Sequence, residues 1–269
     1  MTTQPDIADV EEEVLLEKHD HLAVITLNRP EFQNTITTLM LDTLCERMLE
    51  AEADPDIRVI ILNGRGRFFC GGLDLRGSGV AANLTKSQRI PELDLRNTPP
   101  TVLNKINKPI ICAMGSSAGY GLDLALGCDI RLVAKSARIS AAFVKRGVTP
   151  ESGGTWFLPR LLGWSKAAEL IFTGRVLTAE QAKDMGLVSD CVEDDKLLDS
   201  AIELANEIAM NAPLAVQSSK RMMRMGLDEG FEDHVYRVFL QLIPLLKSED
   251  FKEGMTAFME RRDPEFHGR

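Results

Sequence analysis

Pro109-Ile110-Ile111-Cys112-Ala113-Met114 runs directly into Gly115-Ser116-Ser117-Ala118-Gly119-Tyr120-Gly121-Leu122-Asp123, and the reading of this stretch decides the fold. The first six residues are almost wholly apolar, bounded by Pro and Gly, and their number suits a buried strand. The glycines that follow open a short apolar helix, predicted from Leu122 to Gly127, and Ile130 to Ala134 reads as another strand. Strand, turn, helix and strand in succession indicate an α/β protein. Backbone N–H groups at a helix start lack partners inside the helix and carry the positive end of its dipole. A turn of this kind therefore offers donors to a developing negative charge.

Upstream, residues 14–28 alternate as a hairpin turning at Lys18-His19-Asp20, with Asn28-Arg29-Pro30 stopping its second strand. A helix is predicted from Thr38 to Ala53, with Leu41, Leu44, Met48 and Ala51 on one face. Val59-Ile60-Ile61-Leu62 is a short apolar strand ended by Asn63-Gly64. Residues 77–107, with Pro91, Pro99 and Pro100, read as loop mixed with broken helix. Beyond about residue 165 the pattern turns to helices only. Ser165 is expected to cap Lys166 to Phe172, and Thr178 with Gln181 forms a capping box. Helices from Leu197 to Met210, Pro213 to Met225, Phe231 to Leu246 and Asp250 to Arg261 follow. Residues 1–200 are accordingly read as an α/β core and residues 201–269 as a helical appendage. There is no short repeat and no low-complexity tract.

The chain has 269 residues, of which 44% are hydrophobic and 26% charged, which excludes a disordered protein. With 31 Lys+Arg against 40 Asp+Glu, the net charge of −9 argues against a nucleic-acid partner, which needs a basic face. No uncharged apolar stretch reaches the length of about 18 residues that a membrane span requires. The acidic N-terminus from Met1 to Glu13 lacks the basic-then-apolar order of a secretory leader, so a cytoplasmic protein is expected. Cys45, Cys70, Cys112, Cys128 and Cys191 form no CxxC pair and read as free thiols. His19 and His21 have no carboxylate or thiol nearby at helical spacing, and no metal site is expected.

Chemistry concentrates in segments after predicted strands. Phe69-Cys70-Gly71-Gly72-Leu73-Asp74 allows close backbone approach to a ligand, or simply a tight turn. Gly115 to Gly119 also matches the G-x-S-x-G elbow of serine hydrolases, but only His234 and His267 remain downstream, both in the helical tail. In Thr149-Pro150-Glu151-Ser152-Gly153-Gly154-Thr155-Trp156, Glu151 lies among apolar residues. A carboxyl so placed has a raised pKa and suits acid/base work, although Glu151 and Ser152 could equally cap the following turn.

Taken in order, these segments resemble the enoyl-CoA hydratase/isomerase (crotonase) superfamily. The resemblance starts at Ala23-Val24-Ile25-Thr26-Leu27-Asn28-Arg29-Pro30-Glu31. It runs through Phe69 to Asp74, Gly119-Tyr120-Gly121, Cys128-Asp129-Ile130-Arg131, Gly153-Gly154-Thr155 and Leu158-Pro159-Arg160-Leu161. Thr173-Gly174-Arg175, Gly186-Leu187-Val188 and Glu253 to Phe258 continue it to the C-terminus. It implies a spiral of ββα turns with a C-terminal helical trimerisation region, assembled as a homotrimer or a dimer of trimers.

The implied substrate is an acyl-CoA thioester, so coenzyme A enters as part of the substrate and no separate cofactor is required. The implied oxyanion hole is the pair of peptide N–H groups of Leu73 and Tyr120, the latter standing where the family usually has glycine. Two positions depart from a hydratase's paired glutamates: Asp123 replaces the first and Phe143 the second. Glu151 stands where certain isomerases of the family carry their acid, which makes it the expected acid/base, with Asp123 as a second candidate. Arg29, Phe32, Cys70, Leu73, Asp74 and Leu75 are the expected CoA contacts, with Arg261 reaching phosphate from a neighbouring subunit. The acyl pocket is expected to draw on residues 77–103. A double-bond isomerase is favoured; a hydratase using Asp123 with Glu151, an acyl-CoA hydrolase and a catalytically silent acyl-CoA binder are the alternatives.

Overall fold

A computed structural model describes residues 12–76 and 98–269. The hairpin is formed by β1 (Val14–His19) and β2 (Leu22–Leu27), paired antiparallel. Its turn is at Asp20-His21, one residue later than expected, with Asp20 at φ +49°. Helix α1 (Thr38–Ala53) has the predicted bounds, and the Thr37 hydroxyl caps it by accepting the Met40 N–H. It buries Met40, Leu44, Cys45, Met48 and Ala51.

Three times the chain then lays a longer strand and a short one in succession: β3 (Val59–Gly64) with β4 (Phe68–Cys70), β5 (Ile110–Met114) with β6 (Ser116–Ala118), and β7 (Ile130–Ala134) with β8 (Arg138–Ser140). Helix α2 (Pro99–Lys105) precedes β5, and α3 (Tyr120–Leu126) links β6 to β7. The 3-10 turn Val144–Arg146, helices α4 (Gly154–Leu162) and α5 (Trp164–Thr173), strand β9 (Val176–Thr178), helix α6 (Ala179–Met185) and strand β10 (Asp190–Val192) complete the core.

Longer strands go to one sheet, ordered β1-β2-β3-β5-β7-β10, and short ones to another, ordered β4-β6-β8-β9. From β2 onward every pairing in the large sheet is parallel, and each new strand adds to the same edge. The result is a spiral rather than a doubly wound sheet, as the resemblance implied. Both faces of the large sheet are covered, so β2 and β5 are buried at every position. One face, with Ile25, Ile60, Leu62, Cys112 and Met114, joins the core shared with α1 and α3. The other, with Leu22, Val24, Val59, Ile61 and Ile111, is closed by Ala201, Ala205 and Ala209 of helix α7 (Leu197–Ala209).

Two expectations need correction. The region after residue 165 is not helical throughout, since β9 and β10 join the two sheets; three residues are too few to show a period-2 pattern. Helix α5 starts at Trp164 behind Gly163, with no side-chain cap from Ser165. The Thr178–Gln181 capping box is present as read.

Helix α7 straddles the expected boundary at residue 200 and packs on the sheet, while α8 (Pro213–Gly226), α9 (Phe231–Leu245) and α10 (Glu249–Glu260) lie beyond it. Helix α8 is fastened to the core through buried Lys220, whose ammonium donates to Asp129 Oδ2 (2.5 Å) and the Lys108 carbonyl (2.6 Å). Asp129 also accepts the Ile110 N–H at 2.8 Å, at the start of β5. Helix α9 buries no residue in the chain and exposes Phe231, Tyr236, Phe239 and Ile243. Among the described residues no helix is long and apolar enough to cross a membrane.

Candidate active site

Two main-chain corners meet beside the short sheet. After β4 the chain bridges to Ile36: the Ile36 N–H donates to the Gly72 carbonyl (2.8 Å), and the Asp74 N–H donates to the Ile36 carbonyl (2.9 Å). This pairing turns the intervening Leu73 N–H the other way. After β6 the Gly119 N–H donates to the Ser140 carbonyl (3.1 Å), and the Leu122 and Asp123 N–H groups donate to the Gly119 carbonyl. Tyr120 is the first residue of α3, so its N–H has no turn before it to bond. Among the described residues neither the Leu73 nor the Tyr120 N–H has a hydrogen-bond partner. Gly121 lets the corners touch, since any side chain there would collide with the Cys70 carbonyl. A methyl group on Gly72, which sits at φ +109°, would lie 3.9 Å from the Tyr120 nitrogen.

Tyr120 offers main chain rather than phenol to this corner: its ring is buried, its hydroxyl has no partner among the described residues, and burial holds its pKa well above the usual value. Among the described residues the Ser117 hydroxyl is likewise buried and unpartnered, with no histidine bonded to it, which is not the arrangement of a serine-hydrolase elbow.

The acids stand one helical turn along. Asp123, on α3, is 1% exposed. Its Oδ2 accepts the Ser152 N–H at 3.1 Å, and its Oδ1 lies against Gly154 with no partner of normal geometry among the described residues. Burial raises the Asp123 pKa to about 7, against the pull of the Gly154 and Ser152 N–H groups and with some help from the nearby Glu151 charge. Glu151 is exposed on the turn before α4, yet the protein around its carboxyl withdraws it from water enough to raise its pKa. Phe143, where a second glutamate would stand in a hydratase, is buried in the core. Neither Glu151 nor Ser152 caps α4: its N-cap is Gly153, at φ +112°, with no side-chain hydrogen bond of its own.

The expected CoA contacts divide. Arg29, Phe32 and Asp74 come together: the Arg29 guanidinium lies 4.7 Å over the Phe32 ring and 3.3 Å from Asp74 Oδ2. Arg76, missing from the sequence reading, joins them 4.3 Å over the same ring. It is the first cause of the lowered Asp74 pKa. Its position two residues after Asp74 was the available signal. Leu75 is exposed on this loop.

Cys70 requires correction as a ligand contact, because its side chain is fully buried and its sulfur accepts the Gly72 N–H at 3.4 Å, bracing the loop from within. Arg261 caps the end of α10 in a left-handed conformation, and the contact expected of it is one to a neighbouring subunit. Of the expected acyl pocket, residues 77–97 lie outside the described residues, and Val102 and Leu103 are buried in α2. A separate apolar cleft of about 500 Å³, lined by Val148, Pro150, Trp164, Ile171 and Phe172 among others, opens beside the Glu151 turn. Among the described residues no three His, Cys, Asp or Glu side chains converge as metal ligands.

A spiral of paired strands, with two N–H groups unpartnered among the described residues and an acid beside them, could in chemical terms stabilise a developing oxyanion. Residues 17–269 match the enoyl-CoA hydratase/isomerase family model. The 2,3-dehydroadipyl-CoA hydratase of Escherichia coli is 33% identical over 96% of this chain and 99% of its own. The 1,2-epoxyphenylacetyl-CoA isomerase of the same organism is 36% identical over 91% of this chain and 94% of its own. The crystal structure of an enoyl-CoA hydratase from Bacillus anthracis superimposes with a TM-score of 0.87 at 30% identity, covering 96% of this chain and all of that one. The chain is therefore an enzyme of the enoyl-CoA hydratase/isomerase family.

Proposed function

We propose that the protein moves a C=C bond of an unsaturated acyl-CoA, with Glu151 as its single acid/base. One observation carries this reading: of the three positions at which the family places acids, only Glu151 is a carboxylate open to a substrate. Phe143 has no proton to give, and Asp123 is buried with one oxygen committed to a peptide N–H. Two relatives, one named a hydratase and one an isomerase, are about equally similar, so the acids rather than the overall likeness favour the isomerase.

In this mechanism the thioester oxygen of a 3-enoyl-CoA accepts hydrogen bonds from the Leu73 and Tyr120 N–H groups. Glu151, ionised, removes a proton from C2, and the electron pair moves into the thioester to give a dienolate. The same carboxyl then returns the proton at C4, leaving the double bond between C2 and C3. Charge on the thioester oxygen peaks between the two transfers, where each main-chain donor contributes roughly 3 kcal/mol. The Arg29, Phe32, Asp74 and Arg76 cluster supplies guanidinium and aromatic faces for the CoA moiety. Assembly as a trimer or a dimer of trimers accords with the apolar surface of α9.

Absorbance of the conjugated thioester tests the reading. It should rise when the enzyme is mixed with a 3-enoyl-CoA, and Glu151→Gln should slow that rise by ~10²–10⁴ with little change in KM. A 2-enoyl-CoA whose absorbance falls, as water adds, would indicate a hydratase instead. Full turnover in Glu151→Gln would remove Glu151 as the base.

A further inference from the structure

Helix α4 presents an unusual N-terminus. Its N-cap is a glycine, so no side chain of its own caps its start, although the Trp156 and Phe157 N–H groups donate to the Gly153 carbonyl. A carboxylate from another helix fills that place. Asp123 reaches across from α3, accepts the Ser152 N–H at 3.1 Å, and fills the space that a side chain on Gly154 would take. Glu151 immediately precedes the bonded Ser152, so its backbone is fixed by this contact.

We propose that Asp123 is a positioning residue: it caps α4 from α3 and thereby holds the Glu151 turn against the Leu73–Tyr120 corner. The proposal rests on Glu151 as the acid/base, and it gives Asp123 a role other than handling substrate protons. It also accounts for the paired glycines. Gly153 supplies the left-handed turn, and Gly154 gives the carboxylate room to reach the helix end.

Three variants and two readouts test it. Asp123→Ala removes the acceptor and should lower kcat by ~10–100-fold with KM within about threefold, because a base displaced by about 1 Å loses that much. Asp123→Asn keeps an acceptor oxygen for Ser152 and should recover kcat to within about tenfold of the parent. Gly154→Ala, which leaves Asp123 in place but forces it back, should reproduce the loss and serves if Asp123→Ala does not fold. Hydrogen exchange of peptides spanning residues 147–157 should speed up at least tenfold in Asp123→Ala and Gly154→Ala, and remain near the parent rate in Asp123→Asn.

Unchanged exchange in both disruptive variants would overturn the proposal. So would an Asp123→Asn enzyme as slow as Glu151→Gln, since Asp123 would then be moving a proton. Those failures differ from the failure of the Glu151 reading, which shows as turnover surviving Glu151→Gln whatever happens at Asp123.

Discussion

At the scale of single residues, the site depends on where carboxyl groups meet water. Asp123 and Glu151 are close in space, but one is sealed beneath a helix start and the other faces outward. The cost of sealing Asp123 has a measurable sign. Its pKa is about 7 in the folded chain, against 3.8 for an ordinary aspartate, so the folded state binds this proton more tightly. Stability from this group is therefore present at low pH and is lost as pH rises from about 4 to about 7. The loss is on the order of 4 kcal/mol. Asp123→Asn should abolish that slope, so its melting temperature should gain on the parent's with rising pH, and parallel curves from pH 4 to 8 would contradict the assignment. The residue types were legible in the sequence; the burial of one acid and the exposure of the other were not, because Asp123 and Ser152 lie 29 residues apart and no local pattern encodes their contact.

At the scale of elements, longer periodic segments were legible and short ones were not. Helix α1 and strands β5 and β7 carry enough apolar residues to declare themselves, and the capping box marks α6 at its first residue. The second sheet stayed hidden because each of its strands has only three residues, whose pairing is decided by neighbours. The fastening of α8 is also nonlocal. Lys220 stands on an otherwise ordinary helix, yet it is buried against Asp129 and the Lys108 carbonyl. Lys220→Met removes a donor from Asp129 and from the Lys108 carbonyl and should destabilise the chain by about 1–3 kcal/mol in urea unfolding. A change below about 1 kcal/mol would mean that Arg224, 3.3 Å from Asp129 Oδ1, suffices.

At the scale of the whole molecule, helix α9 is the part the single chain leaves unfinished. It buries none of its residues, and Phe239 is 62% exposed. With these side chains covered by other copies, sedimentation should give a mass that is a multiple of 29.8 kDa, three- or sixfold for the assembly implied by the family. Phe239→Asp should shift the distribution toward the single chain. A parent protein that sediments as one chain would refute that assembly.

The spiral order of the large sheet also has a consequence for synthesis. Each parallel strand pairs with one made shortly before it, so the sheet can grow from its N-terminal edge as the chain leaves the ribosome. Its outer face, with Leu22, Val24, Val59, Ile61 and Ile111, stays uncovered until α7 is complete at Ala209. For most of its translation the nascent chain thus carries an open apolar sheet face, a surface that chaperones hold and on which neighbouring chains aggregate.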